Sequence, residues 1–120
     1  PDAVSSYKAL QYLLNSGNFE DSITLSSDAN GSIPLYDSDG RLVEVGCASC
    51  DVLINDIRRA VFDCGIPLEK ILRAVTVNPA RVLKLSKDKG SIEYGKFADI
   101  LLLDRKLNIS AVFARGVRVV

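Results

Sequence analysis

Apolar residues at Val4, Tyr7, Leu10, Leu13 and Leu14 recur at the spacing of one helix face, and Gly17 stands where a left-handed C-terminal cap falls. Residues 4–14 therefore predict an amphipathic helix. Ser22-Ile23-Thr24-Leu25-Ser26 follows, short and rich in residues that favour extended chain, and runs into the polar Ser27-Asp28-Ala29-Asn30-Gly31-Ser32. This predicts a strand over 22–26 that carries Asp28 to its C-terminal edge. Residues 33–46 hold Pro34, the turn-like Asp37-Ser38-Asp39-Gly40 and the alternating run Arg41-Leu42-Val43-Glu44-Val45. A long loop containing a small hairpin is expected there, a common place for binding residues because the preceding strand fixes its base.

Farther along, Leu53, Ile57, Ala60, Val61 and Cys64 share one helical face, which Gly65 ends before Pro67 opens a second helix buried through Leu68, Ile71, Leu72 and Val75. Asn78-Pro79 predicts a third helix, with Asn78 as its N-cap and proline at the first position. The tail changes character. Asp99-Ile100-Leu101-Leu102-Leu103-Asp104 is a continuous apolar strand bounded by acids, and residues 109–114 and 117–120 form a pair joined through Arg115-Gly116, a tight hairpin needing positive φ. Helix, strand, long loop and helices followed by a β-rich tail are compatible with the last turn of an α/β barrel plus a small β module, and equally with an independent α+β domain.

Composition narrows the function. Fifteen basic residues balance fifteen acidic ones, so no net field draws the chain to nucleic acid or to an anionic membrane, and neither is an expected partner. No apolar run reaches the roughly 20 residues of a membrane span, and Pro1, Asp2 and Ala3 do not begin a signal peptide; a cytoplasmic location is expected. The chain has no Met, and so reads as part of a longer protein, and no His, which excludes Ser-His-Asp or Cys-His chemistry built from this chain alone. Cys47-Ala48-Ser49-Cys50 has the spacing of a redox pair or half a zinc site, but no second paired motif follows. Cys47, Cys50 and Cys64 are expected to be reduced small hydrophobes in a helix and its approach.

Ser26-Ser27-Asp28-Ala29-Asn30-Gly31-Ser32 resembles the turn after the eighth barrel strand of isoaspartyl (β-aspartyl) dipeptidases. Thr76-Val77-Asn78-Pro79-Ala80-Arg81-Val82-Leu83, then Gly90-Ser91-Ile92 and Gly95-Lys96-Phe97-Ala98-Asp99-Ile100, resemble the closing segment of the amidohydrolase superfamily. The resemblance covers nearly the whole chain. It implies an α/β fold: the C-terminal part of a TIM-like (β/α)8 barrel, its last βα unit and following helices over 1–89, and strands of a small β-sandwich over 90–120. It implies metal-dependent hydrolysis of β-aspartyl dipeptides by an activated hydroxide, with zinc or another divalent metal held by His and carboxylated Lys in the longer parent. Those ligands are absent from this chain, so the fragment alone is expected to be inactive and to bind no catalytic zinc.

Carried onto this sequence, the resemblance makes Asp28 the catalytic proton shuttle and a metal-contacting carboxylate, completed only by upstream ligands, and makes Ser32 a substrate-binding residue for the α-carboxylate of a small dipeptide. The residues themselves also permit Asp28 as an Asx-turn or cap and Ser32 as an ordinary turn serine. Asn78, Pro79, Lys96 and Asp99 read as structural, and Arg58-Arg59 as a solvated helix face. Exposed strand edges and apolar helix faces predict a homo-oligomer. The alternatives are another cyclic-amide hydrolase of the dihydroorotase or hydantoinase kind, and a non-catalytic structural or interaction domain.

Overall fold

A computed structural model of the chain describes residues 4–17 and 19–120; the reading of Pro1, Asp2 and Ala3 lies outside them. Among the described residues four helices form: α1 (Ser6–Asn15), α2 (Val52–Phe62), α3 (Leu68–Val75) and α4 (Val77–Val82). Each of the first three turns its predicted apolar face inward. Leu10 of α1, Ile57 and Ala60 of α2, and Ile71 and Ala74 of α3 are buried together with Ile66 of the α2–α3 connection. Tyr7, Leu14, Val61 and Leu68 complete this cluster from partly buried positions. Among the described residues no helix is long and apolar enough to cross a membrane.

Strands supply two small antiparallel sheets, making the chain a mixed α/β structure. In the first, β1 (Ser32–Tyr36) pairs with β2 (Leu42–Cys47), with Ser32 opposite Cys47 and a register shift between Leu35 and Tyr36. The hairpin is thus longer than the small one expected within a loop. Its tip is held by the Asp37 carboxylate, which accepts the backbone N–H groups of Asp39 (2.9 Å) and Arg41 (2.8 Å). Ile33, Leu35, Tyr36, Leu42, Val43 and Val45 are all exposed.

The second sheet has the order β3 (Ile100–Leu103), β4 (Ile109–Ala114), β5 (Val117–Arg118). Arg115 and Gly116 both take positive φ, 50° and 80°, as a two-residue hairpin with strand-matched twist requires. The tail is tied to the helices at the β3–β4 connection, where Leu107 enters the helical core and its carbonyl accepts the Arg58 guanidinium at 3.1 Å. Arg58 is thus partly buried and bonded, not simply solvated. Asp99 accepts both Lys89 and the Arg115 N–H, and these partners hold its carboxyl below the ordinary carboxylate range. Gly90 marks the passage from helices to tail: with φ 96°, an added Cβ would lie 2.7 Å from that of Ala80 and 3.2 Å from the Thr76 carbonyl oxygen. No L side chain fits there without displacing α4.

Three expectations change. The segment 22–26 joins neither sheet. Ile23, Leu25 and Ser27 are half-buried while Thr24, Ser26 and Asp28 are exposed, the period of an extended chain. A strand is defined by a ladder, however, and no segment among the described residues lies beside this one to supply it; the Leu25 N–H instead donates to Ala74 of α3 at 2.9 Å. Second, Asn78 is not an N-cap. Thr76 occupies that position, and Asn78 lies inside the first turn, fully buried, with Nδ2 donating to the carbonyl oxygens of Glu20 and Ile23, both at 2.7 Å. Pro79 still falls in the first turn, where its missing N–H costs nothing. Third, Cys64 borders the core as expected, but Cys47 ends β2, Cys50 lies in the turn before α2, and both are exposed.

Removing the Asn78 amide leaves two partly buried carbonyls without their donor and removes a buried Oδ1 that has no partner among the described residues. Asn78→Ala is expected to lower stability by about 1–3 kcal/mol, the loss of two hydrogen bonds offset in part by removal of the unpaired oxygen. Denaturant unfolding of the two proteins measures it; a loss under about 1 kcal/mol would mean that other contacts hold residues 20–23.

Candidate functional site

The extended segment enters its turn with Ser26 and Ser27 acting as local acceptors: their hydroxyl oxygens take the N–H groups of Asp28 (3.4 Å) and Ala29 (3.2 Å). The Asp28 carbonyl then accepts the Gly31 N–H at 2.8 Å, closing the loop over Ala29 and Asn30. Asp28 and Asn30 both adopt positive φ, 49° and 65°, a region that non-glycine residues enter at some cost and that Asp and Asn tolerate better than most. The turn is anchored from outside by Ala48, whose carbonyl accepts the Asn30 N–H at 3.0 Å and whose own N–H donates to the Gly31 carbonyl at 2.9 Å. Ala48 is buried, so the β2–α2 connection is the fixed side of this bracket.

Gly31 is required by closeness. A Cβ built there would fall 2.7 Å from Asp28 Oδ2 and 2.8 Å from the Asp28 carbonyl oxygen. The Asp28 carboxylate folds over the glycine. Its oxygens accept none of the hydrogen bonds found among the described residues, although the side chain is exposed. Asp37 and Asp104 differ: each accepts two backbone N–H groups of its own turn. Of these three turn aspartates, Asp28 is the one that is not an Asx-turn, because the serines before it do that work and leave its carboxylate available.

Ser32 follows Gly31 directly as the first residue of β1, exposed and paired across the ladder with Cys47. One continuous turn therefore brings together the two residues singled out in the sequence. A cleft of about 350 Å³ adjoins the approach to this turn, lined by Ser26, Ser27, Leu25, Leu53 and Val75 among others. A larger cleft of about 940 Å³ lies between α2–α4 and the tail; it is mostly apolar, and neither Asp28 nor Ser32 lines it. Sequence reasoning missed Ala48 and the part played by Asn78. Ala48 works through its backbone, which no residue pattern discloses, and Asn-Pro at a helix start reads as a cap before its long-range contact is seen.

Divalent metals in closed or catalytic sites take three or more protein donors. Among the described residues no group of three or more His, Cys, Asp or Glu side chains is placed to hold one. The Asp28 carboxylate is a single suitable oxygen donor, so this donor set does not fit a resident metal by itself.

Residues 4–119 match the model of the amidohydrolase family. The structure superimposes on a β-aspartyl dipeptidase from Fervidobacterium islandicum, solved with β-Asp-Leu dipeptide, with a TM-score of 0.82 and 32% identity, covering 98% of this chain and 30% of that one. An N-acetylglucosamine-6-phosphate deacetylase from Caenorhabditis elegans is 36% identical over 63 residues, 52% of this chain and 15% of the relative. An imidazolonepropionase from Picrophilus torridus is 48% identical over 52 residues, 43% of this chain and 13% of the relative. The chain thus spans less than a third of the length of each of these proteins.

With a single carboxylate at the turn, the 120-residue chain on its own is expected to show no tight one-to-one zinc binding in calorimetric titration. Stoichiometric binding with a dissociation constant of about a micromolar or below would contradict this reading of the donor set.

Proposed function

The chain belongs to the amidohydrolase family, and from that premise we propose that the protein containing it hydrolyses β-aspartyl (isoaspartyl) dipeptides, with Asp28 moving the proton and Ser32 recognising the substrate. The observation that carries the proposal is the likeness to the β-aspartyl dipeptidase over 98% of the chain. The curated relatives match between 43% and 68% of the chain.

The geometry supports these roles chemically. A carboxylate that accepts no hydrogen bond from its own turn keeps its lone pairs for a substrate-side proton, and its position over Gly31 fixes where that proton is received. Asp28 takes a proton from the attacking water and returns it to the departing amine, so a poor leaving group departs neutral. Ser32, one residue beyond Gly31, offers a hydroxyl that can donate to a substrate carboxylate. The bracket on Ala48 serves preorganisation, because a general base misplaced by about 1 Å loses much of its advantage. The proposal includes zinc or another divalent ion whose donors lie mainly outside this chain; the proton steps described are those of Asp28.

A second reading, deacetylation of an N-acetylated amino sugar phosphate, is favoured by the 36% identity to the deacetylase. It too cleaves an amide and needs a proton delivered to an amine, so Asp28 would keep its role. Ser32 alone does not separate the two, since a phosphate oxygen of the sugar accepts a serine hydroxyl as a dipeptide carboxylate does; the product released separates them.

Asp28→Asn keeps size and polarity but cannot carry the proton; in the protein that contains this chain it is expected to lower kcat for a β-aspartyl dipeptide by about 10²–10⁴-fold. Ser32→Ala, assayed alongside, should raise KM about tenfold with a smaller effect on kcat, the value of one hydrogen bond to a charged group. Undiminished turnover in the first variant, or an unchanged KM in the second, would remove the corresponding role.

A further inference from the structure

Cys47 and Cys50 flank the residue on which the Asp28 turn hangs. Cys47 is the last residue of β2, opposite Ser32 in the ladder, and Cys50 stands just before α2. Both side chains are free thiols and both are exposed, whereas Cys64 is partly buried against the helical core. Between the two exposed thiols lie only Ala48 and Ser49, and Ala48 makes both backbone hydrogen bonds that fix Asn30 and Gly31. Cys64 packs against the core, whereas this pair is exposed on the chain and close in sequence, with the Cys47 thiol 3.8 Å from the Ala48 carbonyl oxygen.

We propose that Cys47 and Cys50 form a redox-modification site, closed to an intramolecular disulfide by exchange with a low-molecular-weight disulfide of the glutathione class, and that closure loosens the turn carrying Asp28. In the first step one cysteine, deprotonated by solvent, attacks a sulfur of the small disulfide; a mixed disulfide forms and one small thiolate leaves. In the second step the other cysteine thiolate attacks the protein-side sulfur, the Cys47–Cys50 bond forms and a second small thiolate leaves. Two electrons pass from the cysteine sulfurs to the small disulfide, and the two protons released from the cysteines are taken up by the departing thiolates.

Geometry connects this chemistry to the site. A disulfide holds its two Cα atoms about 4.4–6.8 Å apart, and residues three apart meet that limit only where the chain between them bends. Closing the bridge therefore fixes a bend at Ala48-Ser49. Ala48, whose N–H and carbonyl hold Gly31 and Asn30, lies inside that bend, so closure acts directly on the residue that aligns the turn. The consequence for catalysis rests on the role proposed above for Asp28; the bridge and the loosening do not.

The test uses the protein that contains this chain, equilibrated with reduced and oxidised glutathione, alkylated, peptide-mapped and followed by amide hydrogen exchange. The expected result is joint loss of alkylation at Cys47 and Cys50, a peptide spanning them lighter by two hydrogens, and exchange at the Asn30 amide faster by about tenfold or more. Cys50→Ser should stop at a mixed disulfide on Cys47 and leave Asn30 exchange unchanged. The proposal is overturned if both cysteines of the unaltered protein end as mixed disulfides, if Asn30 exchange is unchanged in the bridged form, or if Cys50→Ser shows the same acceleration. These readouts involve no substrate, so they stand or fall separately from the dipeptidase reading.

Discussion

One buried side-chain amide holds the candidate site to the body of the molecule. Asn78, fully buried in the first turn of α4, donates to the carbonyls of Glu20 and Ile23, and so fixes the entry of the extended segment that ends at Asp28. Among the described residues that segment has no sheet ladder to hold it, and beyond Asn78 its backbone contact with the helices is the Leu25 N–H on Ala74. The ion pairs Lys70–Glu20 and Arg73–Asp21 reinforce the same turn, but they are solvent-exposed and contribute little. A neutral amide can do this work where a charge could not, because burial penalises it less; both of its N–H groups find acceptors, while its Oδ1 is buried without a partner among the described residues.

From this anchor outward, structural duties fall to residues other than Asp28. Ser26 and Ser27 accept the turn N–H groups, Gly31 makes room for the carboxylate, and Ala48 ties the turn to the start of the α2 approach. The carboxylate is left without local partners in a backbone conformation that costs energy to maintain. Asp37 and Asp104, by contrast, each accept two N–H groups of their own turns, and this difference is what supports the chemical role proposed for Asp28. The role proposed for that acid suits an amidohydrolase, because amide cleavage needs a proton removed from water and delivered to nitrogen.

Periodicity made the helices legible, because Leu10, Ile57, Ala60 and Ile71 lie on stripes whose burial follows from spacing alone. The tail hairpin was equally readable, since Arg115-Gly116 must take positive φ to join two apolar runs. Residues 22–26 were legible as extended chain but not as unpaired chain, because a strand's partners are a property of the surroundings rather than of its own residues. The candidate site was found through a resemblance over residues 26–32; its supports were not. Asn78 reaches across more than fifty residues, and Ala48 acts through backbone atoms common to every residue. The exposed pair Cys47 and Cys50 was misjudged for a related reason: a cysteine's usual burial is a tendency, and the end of an exposed hairpin overrides it.

The most direct test of the central claim is a side-by-side assay of the protein that contains this chain against β-Asp-Leu and N-acetylglucosamine-6-phosphate, with free aspartate and free acetate measured in the same preparation. Hydrolysis of β-aspartyl dipeptides predicts aspartate release with kcat/KM at least about a hundredfold above that for acetate release, the discrimination expected of a site built around a substrate's polar group. Acetate release with no aspartate would contradict the dipeptidase account and assign the Asp28 turn to the deacetylase reaction.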